Sequence, residues 1–382
     1  MDSSFFNPVA VSFLEPGAWK DRLLHITGNE KSVLFIYSGS AVKSCDPEGV
    51  LQHKLSNISN VKLLTGIESN PSVKQLAKIR KELGTLPETV VALGGGSVID
   101  VAKILIALDR APHDLDEQTI LEMVSNKSYL KLDKAPVRFI ALPSTAGTGS
   151  ELTKWATIWD MVNKKKFSVE RDDLYPTESW VDLELTLGLD ARLTVSTGLD
   201  AMSHAVEAYW SSKSNPIVRR LAAQAISEVI KNLEAAVDNP KDSDARRGMC
   251  LGSVFAGLAF SQTRTTACHA LSYPLTARFG LPHGIAVSMS MVEVLALNWN
   301  AVEEKSLFLG AFGCDSYESL REKLINMIER FVNPEVAKIG PIDNVSAIIS
   351  EDIESMGARL GNNPVGLTKD QIIGLYQKIL GR

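Results

Sequence analysis

Strand-like and helix-like segments alternate along the first half of the chain. Continuous apolar runs of strand length occupy residues 33–39, 61–66, 89–96 and 137–145, and helical patterns such as residues 72–84 lie between them. Strands that are apolar throughout and alternate with helices are typical of a parallel sheet covered by helices on both faces. The first half is therefore predicted to be an α/β domain.

The pattern changes after about residue 186. Long stretches rich in Ala, Leu and Glu, such as residues 216–237 and 316–331, replace the strand-like runs. Their periodicity favours helices. We therefore predict an α/β domain with a parallel sheet over residues 1–185 and an all-α domain over residues 186–382, a division for which 382 residues are sufficient.

Composition argues against several classes of partner. The net charge is −5 and no long basic run occurs, so we expect no nucleic-acid partner. No apolar run reaches the roughly 18 residues of a membrane span, and the first residues lack the pattern of a signal peptide. Cys45, Cys250, Cys268 and Cys314 are widely spaced and form no CxxC motif. We therefore expect a reduced, cytoplasmic protein that does not enter a membrane.

A glycine-rich turn follows the third apolar run. Residues 92–108 read as strand, glycine turn and helix. Gly94, Gly95 and Gly96 allow a ligand to approach the backbone, and Ser97 places a hydroxyl near the helix start. Free N–H groups at a helix N-terminus suit a pyrophosphate. The run is not the GxGxxG fingerprint, so an ordinary tight turn between strand and helix is the alternative.

A second candidate nucleotide loop spans residues 143–151, just after another apolar run. Its hydroxyl groups suit ribose, phosphate or the nicotinamide amide, and a surface loop rich in Gly, Ser and Thr is the alternative. In the first loop, Asp100 and Lys103 follow the glycines and make the match to a nucleotide site more specific. The hydroxyl-bearing residues of the second loop are Ser144, Thr145, Thr148 and Ser150.

One carboxylate and three imidazoles form a candidate metal site in the second half. Asp200 and His204 are four residues apart, so they share one face of a helix. His269 and His283 follow in a second segment, the latter in a Leu-Pro-His-Gly turn. Such nitrogen and oxygen ligands suit divalent iron or zinc. A lone histidine in a helix is usually an ordinary polar residue, but each of these lies in a motif.

Four segments taken in order resemble the iron-dependent (group III) alcohol dehydrogenases. They are residues 94–103, 143–151, 198–209 and 268–284, and the resemblance extends over essentially the whole chain. It implies an N-terminal dinucleotide-binding α/β domain, a C-terminal helical domain that carries the metal and substrate sites, and an active site in the cleft between them. This architecture is shared with dehydroquinate synthase-like proteins.

The resemblance also implies roles for individual residues. The metal ligands correspond to Asp200, His204, His269 and His283, with iron as the usual metal and zinc as the alternative. Ser38 stands where many NAD-preferring relatives carry an aspartate, which favours NADPH slightly without excluding NADH. The residues expected to bind NAD(P)H are Ser38, Asn70, Gly94, Gly95, Gly96, Ser97, Asp100, Thr145, Thr148, Ser150 and Lys166.

The segment before His269 differs from that of relatives acting on simple alcohols. It carries Arg264, Thr265 and Thr266, and Lys154 is a second unusual cation beside the nucleotide loop. An arginine and hydroxyls near a metal suit an anionic substrate, whereas solvated side chains or structural ion pairs are the alternative. Tyr273 stands where many relatives have a histidine. It is predicted to line the substrate pocket, with a proton relay as the alternative.

These features resemble family members that reduce phosphonoacetaldehyde to 2-hydroxyethylphosphonate. The chain is therefore predicted to be a metal-dependent NAD(P)H aldehyde reductase, in which the metal acts as a Lewis acid and the nicotinamide supplies a hydride. The alternatives are a broad-range primary alcohol dehydrogenase, a metal-dependent lyase of the same fold and a non-catalytic nucleotide or metal sensor. A homodimer is expected, because N-terminal strands of relatives often pair across a dimer.

Overall fold

The computed structural model describes residues 4–134, 136–163, 165–338 and 353–380. They form two compact units, one of residues 7–189 and one of residues 190–380 together with 4–6. The first unit extends past residue 185 because Leu185 is buried in the apolar core beside the sheet. The predicted fold class, a parallel-sheet α/β unit and a helical unit, is confirmed. None of the helices in the described part of the chain is long and apolar enough to span a membrane.

The first unit is built on a six-stranded sheet with the order β1-β8-β5-β4-β2-β3. All of its neighbouring strands are parallel, whereas β6 and β7 form a separate antiparallel pair. The strands are β1 Ala10–Leu14, β2 Val33–Tyr37, β3 Val61–Leu64, β4 Thr89–Gly94, β5 Arg138–Pro143, β6 Trp155–Asp160, β7 Lys165–Glu170 and β8 Glu178–Asp182. The helices are α1 Ala18–Asn29, α2 Gly39–Cys45, α3 Val50–Ser56, α4 Val73–Leu83, α5 Gly96–Leu108 and α6 Glu117–Ser125.

The central strand β4 shows why the sheet is covered on both faces. Every residue of β4 is buried. Val90 and Ala92 pack into the core that contains α4 and α5, and Val91 and Leu93 pack into the core that contains α1. Since successive side chains of a strand point to opposite faces, a strand buried on both sides must be apolar throughout. This geometry explains the continuous apolar runs and brings the carboxyl ends of β4 and β5 side by side.

The second unit is helical and surrounds α7. From Thr194 to Trp210 every residue of this helix is buried. Gly198 allows the neighbouring helices to approach closely, because a Cβ there would lie 2.6 Å from a Leu233 methyl and 2.7 Å from the Met249 methyl. The helices are α7 Ala191–Trp210, α8 Pro216–Asp238, α9 Ser243–Thr263, α10 Ala267–Phe279, α11 His283–Ser288, α12 Met291–Asn298, α13 Lys305–Ala311, α14 Tyr317–Phe331, α15 Asn333–Val336, α16 Ile353–Leu360 and α17 Lys369–Leu380.

Candidate functional site

Three side chains of the helical unit converge on one point. Asp200, His269 and His283 each offer a ligand atom, and these atoms all lie within 4.8 Å of one another. Asp200 Oδ1 lies 3.4 Å from His269 Nε2 and 3.9 Å from His283 Nε2. His204 Nε2 is also 3.9 Å from the same oxygen. The structure thus brings together all four predicted ligands around one carboxylate oxygen.

The packing of α11 on α7 places His283 beside Asp200. Gly284, the second residue of α11, touches the backbone of α7, and a Cβ there would overlap the Ser196 carbonyl oxygen. Only glycine permits this approach. A Cβ at Gly284 would also lie 3.0 Å from the backbone nitrogen of Asp200. The Leu-Pro-His-Gly turn is therefore needed to bring His283 to the site.

Aromatic stacking fixes the ring of His204. The His204 ring stacks on Phe260 with centroids 4.0 Å apart and on His269 with centroids 4.5 Å apart. The interplanar angles are 9° and 22°. Since both faces of the imidazole are covered, its orientation towards Asp200 is restricted before any ligand binds.

Two buried atoms at this point have no hydrogen-bond partner within the described part of the protein. They are Asp200 Oδ1 and His269 Nε2. Leaving buried polar atoms unsatisfied costs roughly 1–3 kcal/mol each, so a pair that face each other fits a bound cation. Burial alone would raise the pKa of Asp200, but the neighbouring imidazoles, led by His204, hold the pKa below its ordinary value. The carboxylate is therefore ionised, as a metal ligand must be.

Glu207 orients His269 and was missed by the sequence analysis. Its Oε2 accepts a 2.5 Å hydrogen bond from His269 Nδ1, and its Oε1 accepts from the backbone nitrogens of Cys268 and His269 at 2.6 and 3.2 Å. The carboxylate is completely buried. Because Nδ1 donates to Glu207, Nε2 is left to face Asp200, which is the usual support of a metal-binding histidine. A signal was present, since Glu207 follows His204 by three residues on the same helix face.

The residues before His269 have different environments. Thr266 is completely buried, and its hydroxyl donates to Glu207 and accepts from Trp210 Nε1, both at 2.9 Å. It thus belongs to the support of His269. Thr265 is buried, whereas Arg264 is exposed and has a left-handed backbone with φ of 62°. The chain turns sharply at Arg264 between α9 and α10.

Tyr273 lies beside the candidate metal ligands on α10. Its ring is parallel to that of His283, with centroids 6.5 Å apart and an interplanar angle of 1°. Burial raises the pKa of Tyr273 to about 12, so its hydroxyl stays protonated at neutral pH. This environment favours lining of the site over a role as a proton acceptor.

The glycine turn of the α/β unit lies between β4 and α5. A Cβ at Gly94 would lie 2.5 Å from the Val98 side chain, and one at Gly96 would lie 3.0 Å from the Thr148 side chain. The turn therefore packs directly against the second candidate loop. Gly95 is the N-cap of α5 and has no side chain to cap it. The N–H groups of this first turn suit an anion such as a pyrophosphate.

Other predicted cofactor residues lie near this turn. Thr145 Oγ1 is buried and has no hydrogen-bond partner within the described residues. Its methyl carbon would be 3.4 Å from a Cβ at Gly95, so the hydroxyl lies next to the glycine turn. Ser97 donates a short hydrogen bond to the Ser69 carbonyl, which links α5 to the loop that carries the exposed Asn70. Thr145 offers a polar group for a ligand, whereas the Ser97 hydroxyl supports the loop.

The buried Lys103 and Ser150 form a network with the partly buried Asp100 beneath the second loop. Asp100 accepts from the Ser150 hydroxyl at 2.7 Å and from the Thr157 backbone nitrogen at 2.8 Å. Burial lowers the pKa of Lys103 to about 8, although Asp100 and Glu151 act to raise it. The Lys103 ammonium group donates to the Ser150 carbonyl and hydroxyl, the Thr153 hydroxyl and the Trp155 carbonyl at 2.6 to 3.1 Å. Asp100 and Ser150 therefore hold the loop from inside.

The remaining predicted residues of this unit lie at its surface or edges. Ser38 caps α2 by accepting from the Ala41 nitrogen, and its hydroxyl lies 3.0 Å from that of Ser40. Lys166 lies on β7 with its ammonium 5.6 Å from the Trp159 ring centroid.

Lys154 is bound by two carboxylates of its own unit. Its ammonium lies 2.7 Å from Asp172 and 3.8 Å from Glu170. This arrangement is the structural ion pair that was the alternative to substrate binding.

Two family models match the chain. "Iron-containing alcohol dehydrogenase" matches residues 12–183, and "Fe-containing alcohol dehydrogenase family, C-terminal" matches residues 194–380. Among curated proteins, the probable alcohol dehydrogenase EutG of Escherichia coli is 34% identical over 75% of this chain and 71% of its own. The phosphonoacetaldehyde reductase of Streptomyces viridochromogenes is 35% identical over 59% of this chain and 55% of its own.

Solved structures have the same fold. The sulfoacetaldehyde reductase of Bifidobacterium kashiwanohense, determined in complex with NAD+, is 28% identical and superposes with a TM-score of 0.82. The match covers 100% of this chain and 99% of the other. The two named aldehydes share one feature, which is an anionic group on the carbon next to the carbonyl.

Proposed function

This chain belongs to the iron-containing alcohol dehydrogenase family, and we propose that it reduces a short aldehyde bearing an anionic group, with NAD(P)H as the reductant. It is an NAD(P)-dependent oxidoreductase. Phosphonoacetaldehyde is the substrate proposed first, with 2-hydroxyethylphosphonate as its product. When bound, a divalent iron ion supplies a Lewis acid for the carbonyl oxygen and NAD(P)H supplies the hydride.

The observation that carries the metal-dependent chemistry of this proposal is the pair of unsatisfied buried atoms on Asp200 and His269. The Nε2 atoms of three histidines lie within 3.9 Å of Asp200 Oδ1. The ion would therefore be held by Asp200, His204, His269 and His283. Glu207 keeps His269 Nε2 directed at this point. Zinc is the alternative metal, because one carboxylate and three imidazoles accommodate either ion.

The cofactor would lie on the glycine turn and the adjoining loop. Gly95 and Gly96 present the N-terminus of α5, and Thr145 adds a hydroxyl without a partner in the described structure. The segment directly after β2 carries Ser38 and Ser40 rather than an acidic residue. An acidic residue there would repel a 2′-phosphate, so its absence supports the proposed slight preference for NADPH.

Two comparisons support an anionic substrate. The relative named for phosphonoacetaldehyde and the structure named for sulfoacetaldehyde both specify an aldehyde with an anionic group on the adjacent carbon. Sulfoacetaldehyde is therefore the second candidate substrate. A broad-range primary alcohol dehydrogenase is the alternative within the family.

We also propose a homodimer. Strand β1 is one of the two edge strands of the sheet and pairs with β8 along one side. Phe13 on this strand is 44% exposed. An open edge with an exposed aromatic residue suits pairing with a second chain. Light scattering of the purified protein tests this proposal, and a monomer at micromolar concentration would contradict it.

The substrate is tested by oxidation of NADPH and NADH by anaerobically iron-loaded protein. Phosphonoacetaldehyde, sulfoacetaldehyde and the neutral propionaldehyde are compared by kcat/KM. We expect both anionic aldehydes to exceed propionaldehyde, and the better of the two identifies the substrate. A kcat/KM for propionaldehyde equal to or above both would instead identify a general alcohol dehydrogenase. Absence of net NAD(P)H oxidation with all three would contradict a reductase.

A further inference from the structure

Arg359 lies close to the candidate metal site, on the last turn of α16. Its guanidinium carbon is 4.5 Å from the centroid of the Tyr273 ring. The Tyr273 ring is in turn parallel to the His283 ring at 6.5 Å. From these two distances, the Arg359 guanidinium carbon lies at most about 11 Å from the centroid of the His283 ring. We infer that Arg359 binds the anionic group of the substrate, an inference that rests on the proposed function.

Two buried asparagines fix the chain just after Arg359. The Asn362 carbonyl accepts from the backbone nitrogen of Ser212 at 3.0 Å, and the Asn362 side chain donates to the Thr265 carbonyl at 3.2 Å. Asn363 exchanges two 2.9 Å hydrogen bonds with Asn298. These contacts tie the residues just after α16 to the residues just after α7, to α12 and to the segment before α10. The base of the Arg359 side chain is thus held at a defined place beside the site.

The guanidinium of Arg359 lies over the Tyr273 ring. A guanidinium that packs on an aromatic face keeps its N–H donors in its own plane, where they can bind two oxygens of one anion. No carboxylate within the described side chains forms an ion pair with Arg359. By contrast, the buried Arg171 is paired with Asp173 at 2.5 Å. A phosphonate or sulfonate group would supply the anionic partner for Arg359.

The other two cations considered for this role fit less well. Lys154 is neutralised by Asp172 and Glu170 within the α/β unit. Arg264 is exposed at the turn between α9 and α10. Arg359 is partly buried and packs on a residue that itself faces a candidate metal ligand. It is therefore the cation whose position relative to the ligands is defined by direct contacts.

Tyr273 lies near both His283 and Arg359. Its ring centroid lies 6.5 Å from that of His283 and 4.5 Å from the Arg359 guanidinium carbon. An aldehyde whose carbonyl oxygen lies near His283 would reach Arg359 with an anionic group carried along the Tyr273 ring. This arrangement would favour aldehydes with a terminal phosphonate or sulfonate over neutral aldehydes of similar size.

The test compares Arg359→Gln, Arg359→Lys and a control, Arg247→Gln, in which an exposed arginine of α9 is changed. Kinetics with phosphonoacetaldehyde, sulfoacetaldehyde and propionaldehyde are measured for each protein with bound iron confirmed. We expect Arg359→Gln to raise KM for the anionic aldehydes by about 10- to 100-fold, the loss of a charge-assisted hydrogen bond pair, and to change kcat/KM for propionaldehyde by less than about threefold. Arg359→Lys should raise KM for the anionic aldehydes by an intermediate amount, because it keeps the positive charge but loses the paired N–H donors of the guanidinium.

A binding measurement gives a second readout that is independent of turnover. Calorimetric titration with 2-hydroxyethylphosphonate should show about 10- to 100-fold weaker binding to Arg359→Gln and unchanged binding to Arg247→Gln. An unchanged ratio of anionic to neutral kcat/KM in Arg359→Gln, in an enzyme whose unmodified form prefers the anionic aldehydes, would overturn the role of Arg359 alone. Failure of the unmodified enzyme to prefer them would overturn the proposed substrate class. Should Arg359→Gln not fold, a selective KM increase in Arg359→Lys supports the inference and its absence overturns it.

Discussion

Each unit contains a buried cluster of polar side chains, and the two clusters differ in whether their hydrogen bonds are complete. In the α/β unit, the polar atoms of Asp100, Lys103 and Ser150 all have partners. In the helical unit, Asp200 Oδ1 and His269 Nε2 have none within the described residues. A network whose hydrogen bonds are all made can stabilise a loop by itself, whereas unsatisfied buried atoms are candidates for binding a ligand. The cluster of Asp100, Lys103 and Ser150 therefore supports the fold, whereas the cluster around Asp200 is the candidate binding site.

The largest expected effect follows from removing a ligand of the incomplete cluster. His269→Ala should abolish both metal retention and turnover, because Asp200 loses the imidazole that faces it at 3.4 Å. Iron content by atomic emission and NADPH oxidation check this. His53→Ala, on the exposed face of α3, is the matched control and should keep both. A His269→Ala protein that retains iron would contradict the assignment of the cluster.

Breaking the complete network should instead lower stability. Lys103→Met removes the donor to the Ser150 and Trp155 carbonyls and the Thr153 hydroxyl, which typically costs about 1–3 kcal/mol in the free energy of unfolding for each buried acceptor left unpaired. Denaturant unfolding measures this, and iron content should not change. The control is Lys154→Met, which removes a partly exposed ion pair and should cost less than about 1 kcal/mol. An equal loss of unfolding free energy in the two variants would contradict the claim that the buried Lys103 contributes more to stability than the partly exposed Lys154.

Weakening the support of His269 should have a smaller effect on the metal. Glu207→Gln keeps the shape of the side chain but loses the carboxylate charge that strengthens the hydrogen bond from His269 Nδ1, so metal affinity should fall by about 10- to 100-fold. Competition with a chelator measures this affinity directly. Glu322→Gln on the exposed face of α14 should leave it unchanged. An unaltered metal affinity in Glu207→Gln would show that the carboxylate only supports the fold.

The smallest effect is a pH dependence of stability. Burial raises the pKa of Glu151 from 4.5 to about 7, so the folded protein binds a proton that the unfolded chain has lost. This contribution is present below about pH 4.5 and is lost as pH rises to about 7. Relative to Glu151→Gln, the unmodified protein should therefore lose about 1–3 kcal/mol of unfolding free energy between these limits. Parallel stability curves for the two proteins would contradict the shift.

Local patterns in the sequence account for much of the fold and of the site. The apolar runs predict the strands of the parallel sheet, because strands such as β2 and β4 are buried on both faces. The spacing of Asp200 and His204 places them on one face of α7. The glycine run predicts the turn before α5. These features depend on residues close together in the chain.

Features that depend on distant packing were not predicted. Glu207 acts on His269 because the N-terminus of α10 lies on α7, which no local pattern reveals. Arg359 contacts Tyr273 because α16 packs on α10. The hairpin of β6 and β7, which brings Lys154 to Glu170, lacks the usual signal because residues 161–163 contain no glycine.

The central claim is that the incomplete cluster around Asp200 holds a divalent metal ion. Crystals of the protein loaded anaerobically with Fe²⁺ and measured on both sides of the iron absorption edge test it most directly. We expect an anomalous peak within coordination distance, about 2.0–2.2 Å, of Asp200 Oδ1 and His269 Nε2. The absence of a peak there, or a peak on other residues with this site empty, would contradict the account.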